Sequence, residues 1–469
     1  MKLFLLFFTL FSLYGEDVVS FKSDESSYRV YNDVKGLRVD KKMGDYALVS
    51  ALSDQDALNW AKKFKIVEMG GVDNPKVTKD FLKKRGILNI PYHIGYDWMP
   101  AFYYYTSGNN REFVKWLYKN RFTTTLNPDG PFIHCKENGY DWCRDYFYDW
   151  GNEDLLNKRV DDLCQSMKKS GFNGLFFDWA PGIFIKSKKF KKMHETFKKR
   201  HPQKIYVKQV GKFYKKLKDK GIFFVTNQAF RNEKYLLKYI TYDMTESYIT
   251  TDKKSGKKIR IEGRGWVDNF KVTNYFPIYK DSTGIKDSLH FINLLTKYKK
   301  RYKKSGFKNF IYLNYLAPEY EKVYPSFPVY RLKKPKNGIY FSYAMAKLTD
   351  NIVYAEVTFD KRLERDDIYF YDLGKVLGES YEKIGAIDGY VRFYTKGFVL
   401  VVNPHKDRIF LTIKSKYIPK NRYIYDAYND SWLKSGSSSS LTVKLDFQRD
   451  IFTKQPLPLG RVYLYNAIN

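Results

Sequence analysis

"GFNGLFFDWA", residues 171–180, is the stretch on which the fold turns. Leu175, Phe176 and Phe177 form a short apolar run behind Gly171 and Gly174, and the run closes on a carboxylate, Asp178, followed by Trp179. An unbroken apolar run of this length reads as a strand covered on both faces, as in a parallel sheet. The segment before it, from about 154 to 170, sets Leu156, Val160, Leu163, Cys164 and Met167 at spacings of three and four. It ends in "KKSG", which puts cations in the last turn and a glycine stop after it, so a helix is predicted there.

The same alternation of helix and apolar strand extends outward from about residue 60 to 356, the pattern of repeated strand–helix units around a parallel sheet. Strands are expected at 64–71, 86–98, 145–150, in the opening stretch, and at 221–230, 239–248, 309–320 and 351–359. "TNYFPIYK" (273–280) is an alternative to the seventh or eighth of these. Helices are expected in "PKVTKDFLKKRG" and at 206–220, where Val207, Val210, Phe213, Tyr214 and Leu217 share a face. Eight such units predict a (β/α)8 TIM barrel over residues 60–360. Beyond residue 365 the pattern changes to alternating segments separated by turns, "GYVRFYTKGFVLVVNP", "RIFLTIKSKYI", "SSLTVKLDF" and "GRVYLYN". They predict a C-terminal all-β, sandwich-like module over 365–469.

Residues 1–15, "MKLFLLFFTLFSLYG", have the layout of a secretory signal peptide: one Lys, an apolar run, then small and polar residues. A secreted or periplasmic protein is expected, with an uncleaved membrane anchor as the other reading. Residues 16–59 read as an N-terminal extension. No later stretch is apolar for long enough to suggest a transmembrane segment. Of three cysteines, Cys135 and Cys143 are spaced to close a short loop in an oxidising compartment, and Cys164 falls on a helix face. His134 stands beside Cys135, but the spacing matches no zinc pattern, so no metal and no cofactor are expected.

Hydrophobic residues at 43% and aromatic residues at 18% supply a core and exclude a disordered chain. The formal charge of +32 invites a nucleic-acid reading. The lysines are instead spread in short clusters such as "KSKKFKKMHETFKKR" (186–200), on the polar sides of segments with helical spacing. No specific nucleic acid is expected; long-range attraction to an anionic envelope is.

In an eight-stranded barrel the chemistry sits where strands end at their C-terminal rim. The predicted endings carry Tyr96, Asp97 and Trp98; Trp150; Asp178 and Trp179; Asn227 and Gln228; Glu246 and Tyr248; and Asn314 and Tyr315. There is no glycine-rich phosphate loop, no nucleophile elbow with a triad and no His-Glu-x-x-His. Carboxylate chemistry remains, with Asp178 and Glu246 as the pair, and glycoside hydrolysis needs two such groups: one to protonate the leaving oxygen, one to attack or activate water. Asp243, three residues before Glu246, is an alternative second acid. In a purely structural reading Asp178 caps the next helix and Glu246 pairs with a lysine. The remaining polar and aromatic endings are candidate sugar-binding groups, and a non-catalytic carbohydrate-binding protein on a degenerate barrel is the rival reading.

Three motifs, "GFNGLFFDWA", "FFVTNQAF" and "YDMTESY", resemble the TIM-barrel glycoside hydrolases related to the endo-α-1,4-polygalactosaminidase group. There a G-F-x-G strand ending in Asp is followed by an asparagine-bearing strand and then by one carrying a glutamate. "YDWGNEDLLNKRVDDL" (148–163) looks like the strand-three ending and next helix of such enzymes, and "RFYTKGFVLVVNP" is similar to the sandwich behind many glycosidase barrels. The resemblance implies a polysaccharide or oligosaccharide substrate, with Asp178 in the nucleophile position and Glu246 as proton donor. A cationic galactosamine polymer is not carried over as substrate, because the chain is itself strongly cationic.

Overall fold

The computed structural model describes residues 20–22, 24–32, 34–49, 55–69, 88–93, 98–100, 113, 116–117, 119–129, 145–170, 173–177, 191–277, 285–324, 326–384 and 387–467. Eight parallel strands form the central sheet: β1 (Gly44–Val49), β2 (Phe64–Met69), β3 (Leu88–His93), β4 (Gly174–Phe177), β5 (Phe223–Asn227), β6 (Tyr242–Glu246), β7 (Asn309–Leu316) and β8 (Ile352–Val357). Their spatial order is their chain order. Each neighbouring pair is parallel. At the two edges Tyr46 of β1 meets Tyr354 of β8 edge to face, with ring centroids 6.3 Å apart. Among the described residues no hydrogen-bonded ladder joins these two strands.

Helices α1 (Gln55–Ala61), α2 (Glu153–Ser170), α3 (Lys191–Arg200), α4 (Tyr206–Asp219), α5 (Ile285–Tyr302) and α6 (Lys336–Lys347) lie between strands, α3 and α4 both between β4 and β5. In α4 the buried Val207, Val210, Phe213, Tyr214 and Leu217 face the sheet, where Phe213 and Tyr214 meet Phe177 of β4 at 5.9 and 5.8 Å. All four residues of β4 are buried, as the apolar run requires. Gly174 opens that strand because nothing larger fits. A Cβ there would lie 2.7 Å from the Phe223 ring and 2.9 Å from the Phe223 carbonyl on β5.

Two expected elements differ. Asp145–Phe147, within the stretch expected as the third strand, pairs antiparallel with Trp98–Pro100 and lies outside the large sheet. The missing strand is β1, in the segment read as an extension, so 64–69 is the second strand and 88–93 the third. Lys271–Tyr275 displaces neither β7 nor β8; it pairs with Thr250–Lys254 in a hairpin that follows β6. The helix expected at 75–86, Cys135 and Cys143 lie outside the described residues. Among the described residues no helix is long and apolar enough to cross a membrane, and no group of three or more His, Cys, Asp or Glu stands ready for a metal.

The C-terminal part is two antiparallel sheets on a shared core. Gly389–Tyr394, Gly397–Val402, Leu459–Tyr465, Tyr423–Asp426 and Ser431–Lys434 lie in the seven-stranded sheet, which Val30–Tyr31 edges; Ile409–Lys414 and Ser440–Leu445 form the other with Ser20–Lys22. Side chains of the larger sheet divide with a period of two. Val391, Phe393, Phe398 and Leu400 join Leu411, Ile413 and Val443 in one core, whereas Val399, Val401, Val462 and Leu464 belong to the main core. Helix α6 is the reason. Asn337 to Lys347 are all buried, because α6 lies between the parallel sheet and the C-terminal sheet.

Candidate active site

Glu246 is the last residue of β6 and is half-buried. Its carboxyl is gripped from both neighbouring strands. The Asn227 Nδ2, from the end of β5, donates to Oε2 at 2.7 Å, and the Tyr315 hydroxyl, from β7, donates to Oε1 at 2.5 Å. Among the described residues no lysine or arginine pairs with it. Both donors are neutral, so they orient the carboxyl without cancelling its charge. Tyr315 can donate or accept, so its bond persists whichever protonation state Glu246 takes.

The backbone explains how these groups reach the rim. Gln228 and Ser247, the residues directly after Asn227 and Glu246, both adopt left-handed conformations, with φ of 64° and 61°. Each is tied to the next strand, Gln228 N–H to the Met244 carbonyl at 2.8 Å and Ser247 N–H to the Leu313 carbonyl at 2.7 Å. A non-glycine residue in this region costs roughly 1–2 kcal/mol. That strain bends the chain sharply away just past each functional side chain.

Asp243 does something else. It is fully buried, and its carboxylate accepts from Thr226 Oγ1 at 2.7 Å and from the N–H groups of Ala229 and Phe230 at 3.0 and 2.8 Å. It therefore ties the turn after β5 to β6 and has no open face for a substrate. Burial pushes it up to about 7, against the pull of those three hydrogen bonds.

The other expected groups divide. Asn227 and Tyr315 are brought to Glu246, and half-buried Gln228 stands beside them in the chain. Asn314 is buried and accepts from the N–H groups of Ile249 and Thr250 at 3.3 and 3.4 Å, so it braces the chain after β6 rather than facing a ligand. Trp150 is a correction: at 1% exposure it stacks on Phe213 at 4.5 Å in the core, and no ring face is left for a sugar. Tyr248 lies flat against Phe291 at 4.3 Å and accepts from Arg231 at 2.9 Å, so one of its faces is already covered. Asp178, Trp179, Tyr96, Asp97 and the Trp98 side chain lie outside the described residues.

One carboxylate was passed over in the sequence. Glu68, near the end of β2, is buried and accepts a short hydrogen bond from the Tyr46 hydroxyl on β1. Burial pushes the Tyr46 phenol well up, Glu68 adds to this, and Tyr315 is near enough to contribute as well. A carboxylate inside the apolar run "FKIVEM" was the available signal.

No family model matches the chain, and no curated protein matches it in sequence. By structure it is similar to the glycoside hydrolase domain of PelA from Pseudomonas aeruginosa, at 12% identity and a TM-score of 0.38, over 68% of this chain and 96% of that one. It is also similar to the GH27 β-L-arabinopyranosidase Abp from Geobacillus stearothermophilus, at 7% identity and a TM-score of 0.44, over 92% of this chain and 96% of that one. Ega3 from Aspergillus fumigatus, solved in complex with galactosamine, is similar at 10% identity and a TM-score of 0.35, over 69% of this chain and 94% of that one.

Proposed function

We propose that the protein is a glycoside hydrolase acting on a polysaccharide, with Glu246 as proton donor and Asp178 as the second carboxylate. The observation that carries this reading is the setting of Glu246: at the C-terminal end of a parallel strand, half-exposed, aimed by Asn227 and Tyr315 and paired with no cation among the described residues. A carboxyl held in this way can give a proton to a glycosidic oxygen as the bond from the anomeric carbon to that oxygen breaks. Asp178 then either attacks the anomeric carbon or takes a proton from the water that does. A separation of about 5–5.5 Å between the two carboxyl groups selects the first course and about 6.5–9.5 Å the second. In the first, water later releases the sugar from Asp178 and returns its proton to Glu246.

The proposal includes a closed barrel. The chain-order arrangement of eight parallel strands and the meeting of Tyr46 with Tyr354 support it. It also includes export on residues 1–15 and a C-terminal sandwich strapped by Ser20–Lys22 and Val30–Tyr31. Screening the purified protein for reducing ends released from a glycan panel, with Asp178→Asn as blank, tests the function. Release by the wild type and none by the folded variant is expected. Equal release by both, or no release from any glycan, contradicts it.

A further inference from the structure

The chain that leaves β6 and β7 builds a small sheet beyond the rim, and one side of it is uncovered. Lys258–Ile261 pairs with Gly265–Asp268 and with Val329–Lys333, which in turn pairs with Glu319–Lys322. The inner side carries Ile259, Ile261, Tyr320 and Leu332, which pack with Ile451 and Phe452 of the C-terminal part. The outer side carries Lys258, Arg260 and Trp266, all exposed. The insert begins four residues after Glu246, and Asn314, next to Tyr315, holds its root through the Ile249 and Thr250 amides.

Aromatic rings and cations interleave across this outer face. Trp266 is 56% exposed and Phe327 45%. Trp266 is the cross-strand partner of Arg260, whose guanidinium lies 5.6 Å from the centre of the Phe327 ring, while the Lys258 ammonium lies 5.7 Å from the Trp266 ring. Lys258 is paired with Asp268 at 3.4 Å, Arg331 with Glu262 at 2.6 Å and Lys333 with Glu321 at 2.7 Å. Arg260 has no carboxylate partner among the described residues, so its planar fork is available between two rings. Residues 250–275 hold seven Lys and Arg against three Asp and Glu.

We propose that this face docks a polyuronate, a glycan whose sugars carry carboxylates, and that polyuronates are the substrate class brought to Glu246. The proposal rests on the glycosidase reading above. A sugar ring has an apolar face suited to an exposed Trp or Phe. A carboxylate carried at the edge of that ring meets a guanidinium that lies beside the aromatic, in the bidentate geometry Arg favours. A neutral glycan would use the rings and leave Arg260 unmatched. A nucleic acid would also satisfy rings and cations, but the face grows from the two strands that carry Glu246 and Tyr315, which favours the glycan.

The test is titration of the full chain with polygalacturonate, dextran and poly(dT) by calorimetry at about 0.15 M salt. Saturable binding of polygalacturonate is expected, weakened at least tenfold by Trp266→Ala and by Arg260→Ala, and unchanged by Lys198→Ala on α3, which controls for overall charge. Dextran binding as strong as that of polygalacturonate, tighter binding of poly(dT), or unchanged affinity in Trp266→Ala and Arg260→Ala would overturn it. Glu246→Gln separates the two readings. If it abolishes hydrolysis of a neutral glycan while polygalacturonate never binds, this inference alone fails; if polygalacturonate binds as expected but Glu246→Gln hydrolyses glycans at the wild-type rate, the glycosidase reading fails.

Discussion

Glu246 owes its position to two neutral hydrogen bonds, and their loss is a measurable event. Removing the Tyr315 hydroxyl frees Oε1 to rotate, and a hydrogen bond to a charged group contributes about 1.5–3 kcal/mol. Tyr315→Phe is expected to lower kcat by roughly 10- to 100-fold with KM little changed and the melting temperature within about 2 °C of wild type. A KM effect with unchanged kcat would show that Tyr315 binds substrate instead of positioning Glu246. At this scale the sequence was legible where a polar residue closes an apolar run, as at Asn227, Glu246 and Tyr315. It was illegible where a partner came from a distant segment: Glu68 is explained by Tyr46, which lies in a stretch that read as an extension. Trp150 closes its segment much as Trp179 does, yet packing on Phe213 from α4 decides its fate, and nothing local announces that contact.

Helix α6 is the joint between the two parts of the molecule. Gly460 of the C-terminal sheet lies so close to it that a Cβ would stand 2.4 Å from both the Phe341 Cα and the Tyr340 carbonyl. Nearby, the Tyr340 hydroxyl donates to the Ala427 carbonyl at 2.7 Å and Asn337 Nδ2 to the Pro458 carbonyl at 2.9 Å. Backbone on both sides leaves little room to yield, so Gly460→Ala is expected to destabilise by about 1–3 kcal/mol. Denaturant titration of Gly460→Ala checks this; an unchanged midpoint would mean the two parts are not tightly joined there. The joint was not legible in the sequence. The apolar "GIYFSYAMA" forms a helix that is covered on all sides, and nothing within it announces that its second cover is a sheet from the next module. The swap of β1 for 145–150 has a similar cause: "DYFYDW" has the aromatic content of a strand, and which sheet it joins is set by distant pairing.

For the whole molecule, burial leaves several carboxyl groups raised. Asp243, Glu319 and Glu364 are each pushed up to about 7 by burial, against ordinary values near 4. A raised folded value means that the folded state binds more protons than the unfolded one between about pH 4 and 7, so stability falls as pH rises through that window. Asp45, Asp372 and Asp446 are lowered despite burial, Asp45 by lysines, Asp372 by Lys396 and the Gly374 amide, and Asp446 by Lys444 and Arg408; they act in the opposite direction only below about pH 4. The melting temperature is therefore expected to be a few degrees higher at pH 5 than at pH 7.5, at about 1 °C per kcal/mol for a chain of this length; a lower value at pH 5 would contradict this. A positive charge of +32 bears on partner choice rather than on fold, and the proposed partner of that charge is a carboxylate-bearing glycan. The proposed hydrolysis stands on one carboxyl group, Glu246, doing chemistry. The most direct measurement is the initial rate of glycan hydrolysis by Glu246→Gln beside the wild type, with melting curves for both. A loss of 10²- to 10⁴-fold at an unchanged melting temperature is predicted; a rate equal to that of the wild type would contradict the account.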